Sequence, residues 1–476
     1  MDLLEQCRLW HEAEEHEKIV QTLEALPEEQ RTAATDMELA RAYNNLAQLD
    51  EPEGREMLLR ALELMARHES DCPDPYSWNF RMGYACYYLD REGAALSYLE
   101  RALELHPGDS PQRNSREEIR QLIGDCRHRL TLPRFERPFR RRAAEAWAEF
   151  AWREAEVRRL LDAGEESRAR ELVKDAVNLV LARPDFTLRR NGGYELILSP
   201  GGDRARLFEL VQLLRRKPAD LWQVRVDLSS MEDLPGAAEG EDPAALLENG
   251  YVAYQLEPNE DPDADWRLDV IAGSTRCPAL VRQYLAGESG AVDLLHDDGA
   301  AAGFICWPLD GFAPEERGER ALELRARLEE VLTAAAGPEG VTLLGGAMGL
   351  FCGYLDFIAW DLPAVLDAAA EFFAASGLAW GSYHSFRRDV GTVRLWNAEE
   401  AKEAEVHPET GSLLSPEDIA AMESYLEASS GYFYQVLEYL GDFIEKGQKE
   451  GRFTERQARR DLQIALWYAY ACLNLD

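Results

Sequence analysis

The sequence predicts a multidomain chain that begins as an α-solenoid of stacked helical hairpins, continues as a two-layer α+β region with a mainly antiparallel sheet, and closes in a helical segment. Three observations carry this. Small residues recur at fixed steps through the first part, with Gly83, Ala95 and Ala102 separated by 12 and 7 positions. Near residue 184 the apolar periodicity changes from helical to alternating. At Ser415-Pro416-Glu417-Asp418 a capping serine, a proline at the first helical position and two acids restart a helix. The expected divisions are 1–183, 184–411 and 412–476.

The first part is justified by its spacing. Between Trp78 and Pro107, Gly83 on one helix and Ala95 and Ala102 on the next are small enough to let two antiparallel helices approach closely, while Leu99 and Leu103 fill the seam. Pro107 stops the second helix, and Gly108 and Asp109 complete the turn. A weaker copy precedes it in Ala42, Gly54, Leu58 and Ala61, without the closing proline. Leu4 to Trp10 and Ile19 to Leu26 read as a further pair closed by Pro27. A single hairpin cannot bury its own apolar face, so about three such units are needed for stability.

This pattern of glycine, alanine, alanine and proline resembles the tetratricopeptide repeat. The resemblance covers roughly the first quarter of the chain. It also touches the last few residues, where Tyr470-Ala471-Cys472 and Leu475-Asp476 repeat Tyr84-Ala85-Cys86 and Leu89-Asp90 at a constant offset of 386. That likeness predicts that the chain stops after the first helix of a new repeat and that the array continues in a longer protein. The middle part is similar to uncharacterised bacterial regions attached to such arrays.

Phe139 to Leu161 carries an apolar stripe at helical spacing, formed by Ala143, Trp147, Phe150, Val157, Leu160 and Leu161. Its partner helix follows Gly164, with Ala169, Val173 and Ala176 on the seam. Strands then take over. Phe186 to Arg190 and Tyr194 to Ser199 flank Asn191-Gly192-Gly193 as a hairpin, followed by a helix from Asp203 to Arg216 and a strand from Leu221 to Leu228. The same order recurs at Tyr251 to Leu256, Trp266 to Ile271, Pro278 to Leu285 and Phe304 to Trp307. It recurs again at Val341 to Leu344, Leu350 to Ile358, a helix after Pro363, and Leu378 to Phe386. Three related ββαβ units are therefore expected, with Met231 to Pro243 and Glu257 to Asp265 as exposed acidic loops. In the closing segment Phe433, Val436, Leu437, Leu440, Phe443 and Ile444 form another helical stripe.

Composition narrows the function. With 46% hydrophobic and 29% charged residues, the 476-residue chain is an ordinary globular protein able to bury sizeable cores. Its 88 acidic against 52 basic residues give a net charge of -36, which repels nucleic-acid phosphates and anionic lipid surfaces. No nucleic acid and no membrane are expected as partners, since no apolar stretch approaches the roughly 20 residues that span a bilayer. Met1-Asp2-Leu3-Leu4-Glu5 lacks the basic start of a signal peptide, and eight cysteines scattered singly fit reduced thiols. A cytoplasmic setting is expected.

Catalytic motifs are thin. Cys126 and His128, two apart on a helix, point to different faces. His296-Asp297-Asp298 before Gly299 reads as a solvated turn, and Gly345-Gly346-Ala347-Met348-Gly349 as a hairpin turn rather than an anion cradle, since it has no Walker lysine. Asp356 falls on a sheet face and Asp361 at a helix start. Cys352, Asp356 and His384 are the one set that could act as nucleophile, orienter and base if they met in space. No metal and no cofactor are expected.

What the resemblance implies is a protein or peptide partner, because in tetratricopeptide proteins the first helix of each hairpin lines a concave groove. Mapped through Gly83, the groove positions are Ser77, Phe80, Tyr84, Tyr87 and Tyr88, with Tyr43 and Leu46 in the earlier copy. Tyrosine brings a large apolar area with a polar tip at little entropic cost, which suits recognition. Arg41, Asn44, Asn45 and Arg81 are the nearest matches to the residues that clamp a terminal carboxylate in some members, and their pattern departs from that clamp. The run Arg134, Arg137, Arg140, Arg141 and Arg142, interleaved with Phe135 and Phe139, reads as a solvated helix start that could otherwise grip an acidic partner. The expected function is thus a non-catalytic interaction scaffold. A hydrolase-type enzyme and an acidic inhibitor or immunity-like protein are the alternatives.

Overall fold

Seven helices come first. They are α1 (Leu3–Glu12), α2 (His16–Glu24), α3 (Ala33–Leu46), α4 (Pro52–Ala66), α5 (Pro75–Tyr88), α6 (Glu92–Leu105) and α7 (Arg116–Thr131). The computed structural model describes residues 2–398 apart from 49–51, 71, 109–113, 191, 233, 235–239 and 314. The helix start at Ser415, the stripe from Phe433 to Ile444 and the likeness at Tyr470 to Asp476 lie outside the described residues.

Local chemistry sets the helix starts. Thr32 caps α3 by accepting from the Thr35 backbone, Asp74 caps α5 with Pro75 behind it, and Ser115 and Glu118 form a reciprocal capping box on α7. Consecutive helices pack pairwise, α3 on α4 and α5 on α6. A Cβ on Gly83 would lie 2.7 Å from Leu99 Cγ, so only glycine lets α5 come this close to α6. Ala95, Leu99 and Ala102 are fully buried along the same seam.

The first seven helices share one apolar core, in which Ile19, Ala42, Leu58, Ala61, Trp78, Leu99 and Ile119 meet. Helices α8 (Phe139–Asp162) and α9 (Glu166–Val177) contribute to a different one. Ala143, Trp147, Phe150, Val157 and Leu160 face the elements that follow, and the Trp147 indole donates to the Leu213 carbonyl at 2.8 Å.

Next comes a small sheet of β1 (Phe186–Arg190), β2 (Tyr194–Leu198) and β3 (Gln223–Val226), with α10 (Arg204–Arg215) between the last two. β1 and β2 form the expected antiparallel hairpin, and β3 runs parallel to β2. The remaining elements are α11 (Pro243–Asn249), β4 (Val252–Gln255), β5 (Val270–Thr275), α12 (Pro278–Ala286), α13 (Gly290–Asp297), β6 (Ala301–Pro308), α14 (Arg317–Ala336), β7 (Val341–Gly349), β8 (Cys352–Ala359), α15 (Leu362–Ser376), β9 (Trp380–Ser385) and β10 (Thr392–Asn397). Strands β4 to β10 make one sheet in the order β10-β9-β6-β8-β7-β5-β4, with each neighbouring pair antiparallel.

That order places the strands of the second and third expected ββαβ units in a single sheet. β6 sits between β8 and β9, and β5 lies on β7, so the two sets of strands interleave in one sheet. The segment expected as a strand at Trp266 to Ile271 begins its pairing only at Val270. The glycines from Gly345 to Gly349 lie inside β7 rather than in a turn, and the reversal falls at Leu350 and Phe351. Close approach explains them. A Cβ at Gly346 would sit 2.3 Å from the Tyr354 carbonyl oxygen, and one at Gly349 2.1 Å from an Asp269 carboxylate oxygen.

Both faces of the large sheet are covered. Ile305, Trp307, Leu355, Phe357 and Tyr383 form one core with α14 and α15. Phe304, Cys306, Cys352, Tyr354 and Phe386 face α8, α12 and α13.

Candidate functional site

Two aromatic places stand out, one on α5 and one on a face of the large sheet. On α5, Tyr76, Phe80, Tyr84 and Tyr88 recur every fourth residue and therefore share one helix face. Their ring centroids follow at 6.5, 6.2 and 4.6 Å. Phe80, Tyr84 and Tyr88 are half-buried. Burial and the neighbouring Tyr88 push the Tyr84 hydroxyl up to about 12, so it stays a neutral donor.

Of the five expected partner-binding residues, Tyr43 and Tyr87 are already occupied inside the protein. Tyr43 is 4% exposed and its hydroxyl donates to Glu24 Oε1 at 2.5 Å. Tyr87 is 7% exposed; Arg129 lies over its ring at 4.6 Å and donates to its hydroxyl at 3.1 Å. Phe80, Tyr84 and Tyr88 keep open area. Beside them Arg81 donates to the Met37 carbonyl at 3.1 Å and Asn44 to the Arg81 carbonyl at 3.2 Å, which ties both residues to helix backbone. Arg41 stands 4.0 Å from Glu38, while Asn45 is exposed. The four do not converge as a carboxylate clamp.

In the middle of β8, the central strand of the large sheet, Asp356 is fully buried and receives the Arg267 guanidinium on both carboxylate oxygens, one of them at 3.3 Å. Arg267 is 1% exposed, donates to the Tyr254 hydroxyl at 2.8 Å, and lies 5.1 to 5.3 Å from the centroids of Phe304, Tyr354 and Phe386. Its φ of 67° is in the left-handed region, a conformation that costs a side-chain-bearing residue of order 1 kcal/mol and that the buried ion pair holds in place. Two residues on, Asp269 accepts from the backbones of Phe351 and Cys352 at 2.9 and 3.0 Å and from the Tyr354 hydroxyl at 2.5 Å.

Cys352, Asp356 and His384 do not assemble. Phe304 on β6 pairs with Asp356 on one side and with His384 on the other, which sets those two strands roughly 9.6 Å apart. Four residues along β8 separate Cys352 from Asp356, roughly 13 Å. Burial and Asp269 push the Cys352 thiol up to about 12, away from the thiolate that attacks. The His384 nitrogens face the carbonyls of Ser385 at 2.5 Å and Val390 at 3.2 Å, its ring stacks on Phe304 at 5.4 Å, and burial lowers its pKa.

Other sequence candidates turn out to be internal. His296 and Asp298 are buried, which corrects the reading of a solvated turn. His296 lies 2.6 Å from Glu92 at the start of α6, and Glu92 also receives Arg129 at 3.1 Å; Asp298 pairs with Arg206 and accepts from the Ala182 backbone at 2.7 Å. In the arginine run, Arg142 is buried and donates to the carbonyls of Leu179 and Val180 at 3.1 Å, and burial lowers it to about 10. Arg137 pairs with Glu145, Phe139 is buried, and Arg134, Arg140 and Arg141 face solvent. Cys126 is buried and His128 exposed, on different faces as expected. Asp361 caps α15 by accepting from the Ala364 backbone.

Arg267 and Asp269 were missed as a pair because Trp266-Arg267-Leu268-Asp269 was read as a plain strand. Opposite charges two positions apart between apolar neighbours were the available signal. Among the described residues no helix is long and apolar enough to cross a membrane, and no group of three or more histidine, cysteine or acidic side chains is placed to hold a metal ion. Comparison with protein-family models, curated proteins and solved structures returns no match.

Proposed function

We propose that this protein is a non-catalytic interaction scaffold in the cytoplasm, in which α1 to α7 act as a tetratricopeptide-like solenoid and the open face of α5 holds a segment of a protein partner. The observation that carries this is the ladder of Phe80, Tyr84 and Tyr88: three large rings in a row on one helix face, tilted against one another and only partly buried. Rigid aromatic rings on a fixed helix lose little entropy when covered, which is what a binding anchor requires. The tight Gly83–Leu99 contact supports the repeat reading, since it places the small residue where a close helix crossing needs it. The separation of Cys352, Asp356 and His384 weighs against the hydrolase alternative.

Site-directed photo-crosslinking tests the proposal. A benzophenone residue in place of Tyr84 in the full chain should capture one protein from the native host that the same residue in place of Leu322 on α14 does not. Phe80→Ala with Tyr84→Ala should weaken that complex more than about tenfold. Equal labelling from both positions, or an unchanged affinity of the double variant for the captured protein, would remove the groove proposal.

A further inference from the structure

A cleft of about 390 Å³ lies between the acidic loop and the end of the large sheet, lined by Asp261, Asp263, Asp265 and Trp266 on the loop side and by Tyr284, Phe351 and Tyr354 on the wall. We propose that it docks a basic segment of a protein partner, taking a lysine or arginine side chain between the carboxylates and the aromatic rings. This surface is separate from the α5 face.

Charge complementarity is the first argument. Asp261, Asp263 and Asp265 are exposed, and among the described residues Asp261 and Asp263 form no ion pair. Asp265 shows what the cleft accepts, for the Arg388 guanidinium reaches it at 2.7 Å from the cleft lining. One cation of the protein's own is therefore seated there, with two carboxylates left over.

Rigidity is the second. The acidic stretch is exposed but not loose. Asn259 donates to the Leu268 carbonyl at 2.7 Å, the Trp266 indole donates to Thr392 at 2.7 Å, and the chain immediately after Trp266 is pinned by the buried Arg267–Asp356 pair and by Asp269. Carboxylates on such an anchored loop lose little freedom when a cation arrives, unlike the same charges on a free tail. The wall is the third. Trp266, half-buried, and Phe351, 37% exposed, keep ring area open beside the carboxylates while Tyr284 and Tyr354 behind them are buried, and such rings attract a cation with an aliphatic stem better than a hydrated metal ion.

The test is fluorescence anisotropy on the full chain with a labelled peptide of alternating lysine and glycine, beside the same peptide with every lysine acetylated. The lysine peptide should bind and weaken as salt rises, and the acetylated one should not bind. Asp261→Asn with Asp263→Asn, both on the surface and safe for folding, should weaken binding about fivefold or more, as should Trp266→Leu. Glu319→Gln with Glu330→Gln, which removes two exposed charges from α14, should stay within about twofold, as should Phe80→Ala with Tyr84→Ala. Absence of binding, equal binding of the acetylated peptide, or equal loss from the α14 control would overturn the proposal. None of those results bears on the α5 face.

Discussion

The ladder on α5 and the ring cluster around Arg267 use the same side chains to opposite ends. Around Arg267, the rings of Phe304, Tyr354 and Phe386 close over a guanidinium that the chain itself supplies, and the cation is neutralised by Asp356. On α5 the rings of Phe80, Tyr84 and Tyr88 follow one another along one helix face, Phe80 and Tyr88 rest partly on the helical core, and all three keep part of their area open. An aromatic cluster completed from within is structure, and one left incomplete has room for a partner. The comparison can be broken most severely at its closed end. Arg267→Ala strands a buried carboxylate and should cost about 3 to 5 kcal/mol in denaturant unfolding, whereas Arg267→Met with Asp356→Leu, which removes both charges, should recover most of that loss. If the single and double variants are equally unstable, packing rather than charge holds the site. Tyr84→Ala, by contrast, should leave the unfolding midpoint within about 1 kcal/mol of the parent.

The second prediction turns on the helix seam under the ladder. Gly83→Val places a Cβ 2.7 Å from Leu99 Cγ and should cost about 1 to 3 kcal/mol by forcing α5 off α6. Adding Leu99→Ala opens the space that the new side chain needs, so the pair should be less damaging than the sum of the two single changes. Strict additivity in a double-mutant cycle would mean that Gly83 is required for some reason other than this contact.

Much of the helical part was legible because its signal is local. Gly83, Ala95 and Ala102 fix a close crossing within some twenty positions, and Asp74-Pro75 announces the start of α5 within one turn. The large sheet was legible as strands but not as a sheet. Nothing in Phe304 to Trp307 says that β6 inserts between β8 and β9, because that choice is made by pairings more than 40 residues apart. The glycines of β7 misled for a related reason. A turn and a close strand approach both call for a missing Cβ, and only the position of Asp269 and Tyr354 distinguishes them. His296 and Asp298 looked solvated because their partners Glu92 and Arg206 lie far away in sequence.

A third, pH-dependent effect separates buried charge that is paired from buried charge that is not. Asp297, beside the paired Asp298, has an Oδ1 without a hydrogen-bond partner among the described residues. Burial, reinforced by Asp298 and Asp293 and opposed by Arg91 and His296, raises its pKa from 3.8 to about 7. A carboxyl that holds its proton more tightly in the folded state favours folding at low pH, and that advantage is lost as pH climbs from 3.8 through about 7. Asp297→Asn should therefore be more stable than the parent at pH 8, by on the order of 1 to 2 kcal/mol, with the gap shrinking towards pH 4. A gap that does not change with pH would assign the effect to shape instead of charge.

The smallest effect distinguishes the two kinds of tyrosine within the helical part itself. Tyr43 and Tyr84 are both raised to about 12, so neither ionises near neutrality and the hydroxyl of each counts only as a hydrogen-bonding group. The Tyr43 hydroxyl is committed to Glu24, a charged acceptor, and Tyr43→Phe should cost about 1 to 2 kcal/mol. The ring of Tyr84 is shared with Phe80 and Tyr88 on an open face, and Tyr84→Phe should change stability by less than about 0.5 kcal/mol. The order reverses for the partner captured at Tyr84, whose affinity should respond to Tyr84→Ala and not to Tyr43→Phe. If both substitutions moved stability and binding together, the helical part would have one aromatic core and no open face, and the contrast with Arg267 would vanish.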